Sequence, residues 1–408
     1  MKIPKNWNIY RLEDLGKTYP GLSGKTKDDF GEGKPYIPYK NIFNNGKVDT
    51  NYMQYVNISD DEKQHPVKYG DIFFTVSSEI PDEAGMSSAL LNDIKGEVYL
   101  NSFCIGYRLN DFKILYPGYA AYLFREKHVR TMMTRLAQGS TRFNLSKDSV
   151  LKLKIALPPL KEQRKITSIL SSVDSEIEII DKLINKMKKL KNGLIYKLIL
   201  KGIGHKKFKM SEFGEIPQEW EIKKLGDICN FKQGFQISRS HQISEKRKGY
   251  VRYLYITDFF SDRNKLYIKD NKRFYHIDYK DIVVVNTGNT CGKVFRGESG
   301  VLSNNMFKIF SNRDILDRNY MWYYLNSPIY WKQLNKYFNS AGQPHVGHKN
   351  MSELKIALPD MKEQRKIASI LSSVDGEINK YLMKKQKFQK LKKGFMQQLL
   401  TGKIRVKA

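Results

Sequence analysis

Two polar segments of this 408-residue sequence carry side chains that could read the bases of a nucleic acid. They are residues 139–150, GSTRFNLSKDSV, and residues 342–353, GQPHVGHKNMSE. Both begin with glycine, and they offer Arg, Asn, Gln and His but little that could fill a core. Arg can donate two hydrogen bonds to guanine, and Asn or Gln can pair with adenine in the same forked way. We therefore predict that both segments are loop or hairpin tips that face base edges.

A second chemically distinctive cluster, KEQRKI, occurs twice, at residues 161–166 and 362–367. It could be the solvated face of a helix, or it could be a surface on which a partner docks. The globular blocks that precede the two copies have diverged, yet the cluster itself is identical. That identity favours the docking interpretation, and two equal surfaces suggest two copies of one partner.

Residues that could support catalysis or metal binding do not form convincing sites. His345 and His348 are one helical turn apart, but no third ligand stands at a suitable spacing. Glu32 and Lys34 follow the acidic pair Asp28 and Asp29 too closely to come from a separate strand, as a nuclease site would require. We predict no metal site and no catalytic residues from these features.

Nucleotide and methyl-donor motifs are also absent. The GIG at residues 202–204 lacks the third glycine and the preceding strand of a dinucleotide loop, and no phosphate-binding GxxxxGK motif occurs. The LPPL at residues 157–160 lacks the polar first residue of an adenine methyltransferase tetrapeptide. The chain is therefore predicted to be non-catalytic.

The candidate residues lie in a sequence that is largely an internal duplication. Residues 153–177 return at residues 354–378, an offset of 201 (354 − 153), and differ only at positions 159, 160, 167 and 175. The segments 3–15 and 216–228 share a pattern that begins Ile-Pro-x-x-Trp, so each half also opens alike. The chain is predicted to be two tandem copies of one plan, joined by an exposed connector near residues 201–215.

Each repeat continues into a long helix. After Pro158 the apolar residues recur at alternating steps of four and three to about residue 200, which is a coiled-coil pattern. About 40 residues at ~1.5 Å each give a rod of about 60 Å, which needs a partner along its length. The second copy supplies that partner, so we predict an antiparallel pair that fixes the distance between two recognition surfaces. Leu190 and Leu194, and in the second copy Leu382 and Leu391, are predicted to belong to the apolar seam.

The blocks that precede the two helices are predicted to be mixed globules of about 150 residues. Residues 67–76 and 282–285 have the β-branched and aromatic composition of buried strands. Residues 118–136 and 320–331 have helical spacing. The order of the strands does not follow from the sequence.

Composition narrows the class of partner. Lys and Arg exceed Asp and Glu by 29, which implies an anionic partner, with nucleic acid the leading candidate. No apolar run is long enough to cross a membrane, and the N-terminus lacks the apolar core of a signal peptide, so we expect a cytoplasmic protein without a membrane partner. The three cysteines are widely separated and are expected to be core residues.

The chain resembles the specificity subunit of Type I restriction-modification systems over essentially its full length. The resemblance rests on the paired LPxxKEQRKI and ILSSVD segments, the helix ends GLIYKLILKGIGH and GFMQQLLTGKIRV, and the openings IPKNW and IPQEW. It implies a non-catalytic subunit that reads a bipartite site in double-stranded DNA. It also implies two modification subunits that bind S-adenosylmethionine and two restriction subunits that use ATP and Mg²⁺, with no cofactor on this chain.

The fold expected on this basis is α+β, with two similar mixed α/β target-recognition domains separated by two long antiparallel coiled-coil helices in an internal pseudo-two-fold repeat. The predicted domains are residues 1–157 and 209–358 for target recognition, with residues 158–208 and 359–408 as spacer helices. A basic adaptor for RNA or DNA, including tRNA, and a nuclease with an unrecognised site are the alternatives.

Specific residues follow from the resemblance together with the side-chain chemistry. The expected DNA contacts are Lys25, Lys27, Ser140, Arg142 and Asn144 in the first half, and Arg239, Arg247, Asn286, Asn289, Gln343 and His345 in the second. The expected partner-binding residues, all predicted to be exposed, are Lys161, Glu162, Gln163, Arg164, Lys362, Glu363, Gln364 and Arg365. Residues 77–82, SSEIPD, lack the glycine-bearing polar loop found at residues 286–290.

Overall fold

A computed structural model describes residues 4–261, 264–338 and 344–407. The chain divides into two compact units, of which the first comprises Met1–Asp181 with Met383–Ala408 and the second Lys182–Leu382. The first long helix, Leu160–Lys201, and the second long helix, Met361–Leu399, each contribute one stretch to each unit. The α+β class and both long helices are as predicted from the sequence, whereas the proposed domain boundaries stay a prediction.

The first unit is built on a four-stranded antiparallel sheet and a three-stranded sheet. The strand order in the larger sheet is Gly16–Pro20, Cys104–Leu109, Ile72–Thr75, Ser87–Ala89. The smaller sheet has the order Gln54–Val56, Phe30–Ile37, Tyr99–Leu100, with the last pair parallel. Two-stranded pairs join Asn8–Arg11 to Lys154–Leu157 and Ser77–Ser78 to Phe143–Asn144. The shorter α-helices are Leu12–Leu15, Tyr39–Asn44, Pro117–Leu123, Lys127–Leu136 and Lys147–Leu151.

The second unit repeats this plan with two four-stranded sheets. One has the order Cys229–Gln233, Met306–Ser311, Ile282–Val285, Val294–Phe295. The other has the order Gln242–Ile243, Leu266–Lys269, Tyr250–Leu254, Val301–Leu302, with the last pair parallel. Two-stranded pairs join Glu221–Lys224 to Lys355–Leu358 and Phe208–Ser211 to Gly214–Pro217. The shorter α-helices are Leu225–Ile228, Arg318–Leu325, Pro328–Leu334 and His348–Glu353.

The predicted buried strands and helical blocks are confirmed in both units. Ile72–Thr75 and Ile282–Val285 are fully buried central strands of their sheets. Their β-branched and aromatic side chains pack on both faces, which is why each reads as a continuous apolar run. The connector near residues 201–215 is more structured than predicted. It includes a β-hairpin, and Phe213 at its turn packs against the core of the second unit.

Within each unit the two long helices run antiparallel. In the first unit Asp174 pairs with Lys392 at 2.5 Å and Asp181 with Lys385 at 2.6 Å, so seven residues forward on one helix match seven residues backward on the other. In the second unit Lys191 pairs with Asp375 at 2.6 Å. Three predicted seam residues are instead solvent-exposed by 37–50%, namely Leu190, Leu382 and Leu391. Ion pairs rather than apolar contacts occupy parts of the helix pair near these residues.

Within the described residues, no helix is both long enough and apolar enough to span a lipid bilayer.

Candidate nucleic-acid interface

In the first unit, two segments that are far apart in sequence meet beyond the end of the central strand Ile72–Thr75. Residues 77–83, here called the first reading loop, follow that strand, and Ser77–Ser78 pair with Phe143–Asn144. Leu145 also donates its backbone N–H to the Val76 carbonyl at 2.8 Å. The polar segment predicted to face bases is therefore joined to a loop that the sequence did not single out as its partner.

The tip of this polar segment is a tight turn that requires glycine. Gly139 has φ +134°, and a Cβ there would lie 1.9 Å from the Arg142 carbonyl oxygen. Beyond the turn, Ser140, Arg142 and Asn144 are all exposed. Three of the predicted DNA-contacting residues thus have side chains available to a ligand.

A half-buried arginine, Arg130, fixes the far side of the first reading loop. Arg130 donates to the backbone carbonyls of Asp82 at 2.8 Å and Ala84 at 2.7 Å, and to that of Gly85. Burial lowers the pKa of its guanidinium. Because all three acceptors are backbone carbonyls within residues 82–85, Arg130 restrains the backbone at the end of the loop rather than facing a ligand.

The first reading loop and the polar segment enclose an open recess of about 360 Å³. Its lining residues are Tyr39, Ser77, Ser78, Glu79, Ile80, Glu83, Phe103 and Arg142. The Tyr39 hydroxyl donates to the Ser77 carbonyl at 3.1 Å and so ties the recess wall to the loop. Of these residues, only Arg142 is among the DNA contacts predicted from the sequence. The available signal was the position of SSEIPD, directly after a buried strand, where the second half of the chain carries its polar loop.

The second unit brings the corresponding segments together. Residues 286–290, the second reading loop, follow the strand Ile282–Val285, and Thr287 forms an antiparallel bridge with His345. Gly288 donates its N–H to the Pro344 carbonyl at 3.2 Å. Asn289 and His345 are exposed, as a base-contacting role requires.

Asn286 does not fit its predicted role. Its side chain is only 7% exposed, and its amide donates to the Asn304 carbonyl at 3.4 Å. The backbone carbonyl of Asn286 accepts a hydrogen bond from the Val346 N–H at 2.8 Å, which fastens the second reading loop to the polar segment 342–353. This burial contradicts the expectation that Asn286 contacts DNA, and Asn286 acts instead as a buried anchor of the loop.

The expectation that Lys25 contacts DNA is also contradicted by the structure. Its side chain is only 6% exposed and forms an ion pair with Glu62, so it is not available to a DNA phosphate. Lys27, Arg239 and Arg247 are exposed. They lie beside strands of the smaller sheet of the first unit and the second sheet of the second unit, away from the reading loops in sequence and topology. Gln343 lies outside the described residues.

The duplicated KEQRKI cluster is partly buried, which contradicts the expectation that all of it is exposed. Gln163 has no exposed surface and donates to the carbonyls of Ile114 at 2.7 Å and Pro158 at 2.9 Å, while accepting from the N–H of Tyr116 at 2.9 Å. Gln364 makes the same three bonds to Ile315, Pro359 and Asp317, at 2.9, 2.9 and 2.8 Å. Each glutamine thus locks the start of a long helix to its own globule.

The two glutamates of the cluster hold the chain that leaves the opposite long helix. Glu162, which is 3% exposed, accepts from Arg405 at 2.8 and 2.7 Å. Glu363 accepts from His205 at 2.9 and 3.0 Å, from the Trp220 indole at 3.0 Å and from the Ile203 N–H at 2.8 Å. These intramolecular contacts give a structural reason for the identity of the two copies.

The lysines and arginines of the cluster are exposed, whereas Ile166 and Ile367 are buried. Lys161, Arg164, Lys362 and Arg365 face solvent, and the Arg164 guanidinium lies 4.6 Å from the ring centre of Tyr116. Their role in binding a partner stays a prediction.

The histidine pair considered for metal binding is divided between two environments. His345 is exposed, whereas His348 packs between Phe231 and Phe307, with ring centres 5.5 and 4.8 Å away. Burial lowers the pKa of His348. Across the part of the chain that the structure describes, no group of three or more His, Cys, Asp or Glu side chains is placed to hold a metal ion.

Comparison with known proteins places both units in one family. The model of the Type I restriction modification DNA specificity domain matches residues 4–189 and again residues 217–392. A protein of Methanocaldococcus jannaschii named as the MjaX specificity subunit of a type I restriction enzyme is 32% identical over 426 residues, which cover 100% of this chain and 95% of that protein. The MjaVIII specificity subunit of the same organism is 28% identical, with 100% and 95% covered.

A solved structure has a similar fold. The S subunit of a Type I restriction-modification system from M. genitalium aligns over 98% of both chains with a TM-score of 0.57 and 16% sequence identity. At that identity the likeness concerns the fold, which agrees with the two related units described above.

Proposed function

This chain belongs to the family of Type I restriction-modification DNA specificity subunits, and we propose that each of its two units reads one half of a bipartite DNA target. As a member of that family it confers DNA sequence specificity and is not itself an enzyme. Family membership thereby selects DNA specificity over the RNA-binding adaptor and the nuclease.

One observation carries the proposal for two half-sites. In both units the loop after the buried central strand meets one of the two polar segments, residues 139–150 or 342–353, and exposed polar side chains lie where they meet. In the first unit these are Arg142 and Asn144, and in the second Asn289 and His345. Exposed hydrogen-bonding side chains at the corresponding junction of each unit suit the reading of two short base sequences.

Exposed basic residues away from the loops would supply the affinity. Lys27, Arg239 and Arg247 have the charge and exposure for phosphate contacts, which position a protein on DNA without reading its sequence. The excess of 29 positive charges supports such binding and predicts strong weakening by salt.

The chain works in assembly with other subunits, and we infer the composition of that assembly. Two modification subunits would carry S-adenosylmethionine and two restriction subunits would carry ATP and Mg²⁺, so this chain needs no cofactor of its own. The exposed residues Lys161, Arg164, Lys362 and Arg365 are the candidates for docking on these subunits. The cytoplasm remains the expected location.

The test is selection of duplex DNA by the full chain from a library with randomised bases, followed by sequencing of the bound fraction. Two enriched half-sites separated by unselected bases are expected. Asn289→Ala should relax one position of one half-site by about 1 to 3 kcal/mol and leave the other half unchanged. As a control, Arg247→Ala should weaken binding to all sequences alike and reduce the salt slope by about 1. Absence of any enriched sequence, or equal loss at both half-sites on changing Asn289, would contradict the proposal.

A further inference from the structure

The recess of the first unit contains an arginine and a carboxylate without partners in the protein. Arg142 and Glu79 both line the recess and are both exposed. Neither side chain has a hydrogen bond or an ion pair to any other described residue, nor do they pair with each other. Two opposite charges that share a recess and remain unpaired are free to bind complementary groups of a ligand.

The neighbouring acid is already occupied. Glu83 also lines the recess, but it accepts a hydrogen bond from the Ser78 hydroxyl at 3.2 Å. The same hydroxyl accepts from the Ile80 N–H at 3.1 Å, so Ser78 and Glu83 shape the loop. Glu79 is therefore the carboxylate available to a ligand.

A free carboxylate on a DNA-reading surface needs a specific reason. DNA phosphates repel it, and the chain is otherwise strongly basic. The repulsion is offset only where the carboxylate accepts a hydrogen bond from an amino group on a base, of which cytosine N4 is the usual partner of Glu and Asp. Glu79 thus has the chemistry of a base reader and the wrong charge for a phosphate contact.

Resting on the proposed function, we propose that Arg142 and Glu79 together read one G·C base pair through the major groove. The major-groove edge of that pair presents two acceptors, guanine N7 and O6, beside one donor, cytosine N4. Arg142 supplies two donors, and Glu79 supplies one acceptor. In an A·T pair the adenine N6 amino group, a donor, takes the place of guanine O6, so one N–H of the Arg142 guanidinium would face another donor.

The surroundings of the recess fix the backbone from which these two side chains project. Arg130 and Tyr39 fix the backbone of the first reading loop, and the pairing of Ser77–Ser78 with Phe143–Asn144 fixes Arg142 beside it. Ile80 and Phe103 are 52% and 55% exposed at the recess. Their apolar surfaces would keep water from the contact and so strengthen its hydrogen bonds.

The experiment compares the DNA selected by the full-length wild type, Glu79→Gln and Arg142→Ala. We expect one half-site of the wild type to contain a G·C pair that both variants relax, while the other half-site stays unchanged. The expected loss of discrimination is roughly 5- to 150-fold, from about 1 to 3 kcal/mol at about 1.4 kcal/mol per tenfold change. Asp93→Asn is the matched control, because it removes the same charge from an exposed position of the same unit that does not line the recess.

A modified base tests the pairing directly. Replacing the guanine of that pair by 7-deazaguanine removes the N7 acceptor. It should weaken binding by the wild type but not by Arg142→Ala, which has already lost the contact.

The outcomes separate the two proposals. If the wild type selects no sequence, the proposed function fails. If it selects two half-sites but Glu79→Gln keeps full discrimination, or 7-deazaguanine weakens both proteins equally, the assignment to Arg142 and Glu79 is wrong while the function stands.

Discussion

Replacing Gln163 by Leu should destabilise the first unit without any partner subunit being present. Gln163 is fully buried, and its amide makes three hydrogen bonds to backbone groups of its own globule. Leu has a similar size but can neither donate nor accept a hydrogen bond. Loss of stability in the isolated chain would therefore show that this residue of the KEQRKI cluster has a structural role, because a residue that only docks a partner would not affect it.

The magnitude follows from the groups left without partners. The Tyr116 N–H and the carbonyls of Ile114 and Pro158 would lose their bonds to Gln163. Each buried polar group that loses its partner costs about 1 to 3 kcal/mol, with values near the low end for carbonyls, which proteins leave unpaired more often than N–H groups. We expect a loss of about 3 to 5 kcal/mol in the free energy of unfolding of this unit. Lys161→Ala, an exposed neighbour, should change it by no more than about 0.5 kcal/mol.

Native-state hydrogen exchange is the appropriate assay, because a chain of two units need not unfold in one step. The Tyr116 amide should lose protection in Gln163→Leu. The Asp317 amide, which donates to Gln364 in the second unit, should keep its protection and serves as the internal control. If Tyr116 keeps its protection and the stability of the first unit falls by less than about 1 kcal/mol, the structural account of the cluster is refuted.

Two further predictions concern other contacts. Burial of His348 against Phe231 and Phe307 lowers its pKa below the unfolded value of about 6.5, so its neutral form is favoured in the folded state. The stability that neutral His348 contributes to the second unit should therefore be fully present above about pH 6.5 and be lost as the pH falls through the folded pKa. Calorimetry between pH 5 and 8 should find this pH dependence reduced in His348→Phe. Arg405→Ala should leave Glu162 buried without its cation and release the C-terminal tail, so that subtilisin removes the tail faster than in the wild type. Removal at an unchanged rate in the variant would contradict this role of the Arg405–Glu162 ion pair. Lys403→Ala, an exposed residue of the same tail, is the control for that measurement.

The two copies of the repeat preserve contacts as well as residues. Tyr122 donates to Asp174 at 2.6 Å in the first unit, and Tyr323 donates to Asp375 at 2.8 Å in the second. Each aspartate also pairs with a lysine of the opposite long helix. In both units, these aspartates connect a long helix to its globule and to the other long helix. These shared contacts explain why the two copies of the repeat are nearly identical in sequence, since residues that only face solvent would not be constrained in this way.

Much of the framework followed from the sequence because it depends on local periodicity and on duplication. The apolar repeat of four and three residues set the extent of both long helices, and β-branched runs located the strands at Ile72–Thr75 and Ile282–Val285. The polar segments at residues 139–150 and 342–353 were recognised from side-chain chemistry alone. Such features need only the residue types and their spacing.

The candidate site depended on tertiary structure, because burial and pairing are set by residues distant in sequence. Lys25 is masked by Glu62, and Gln163 by backbone groups near residue 115, neither of which a local pattern reveals. Conversely, Glu79 joins Arg142 only because the strand pair Ser77–Ser78 and Phe143–Asn144 brings together segments more than 60 residues apart. The sequence determined which side chains could read a base, and the long-range strand pairing decided which of them stand together with a free face.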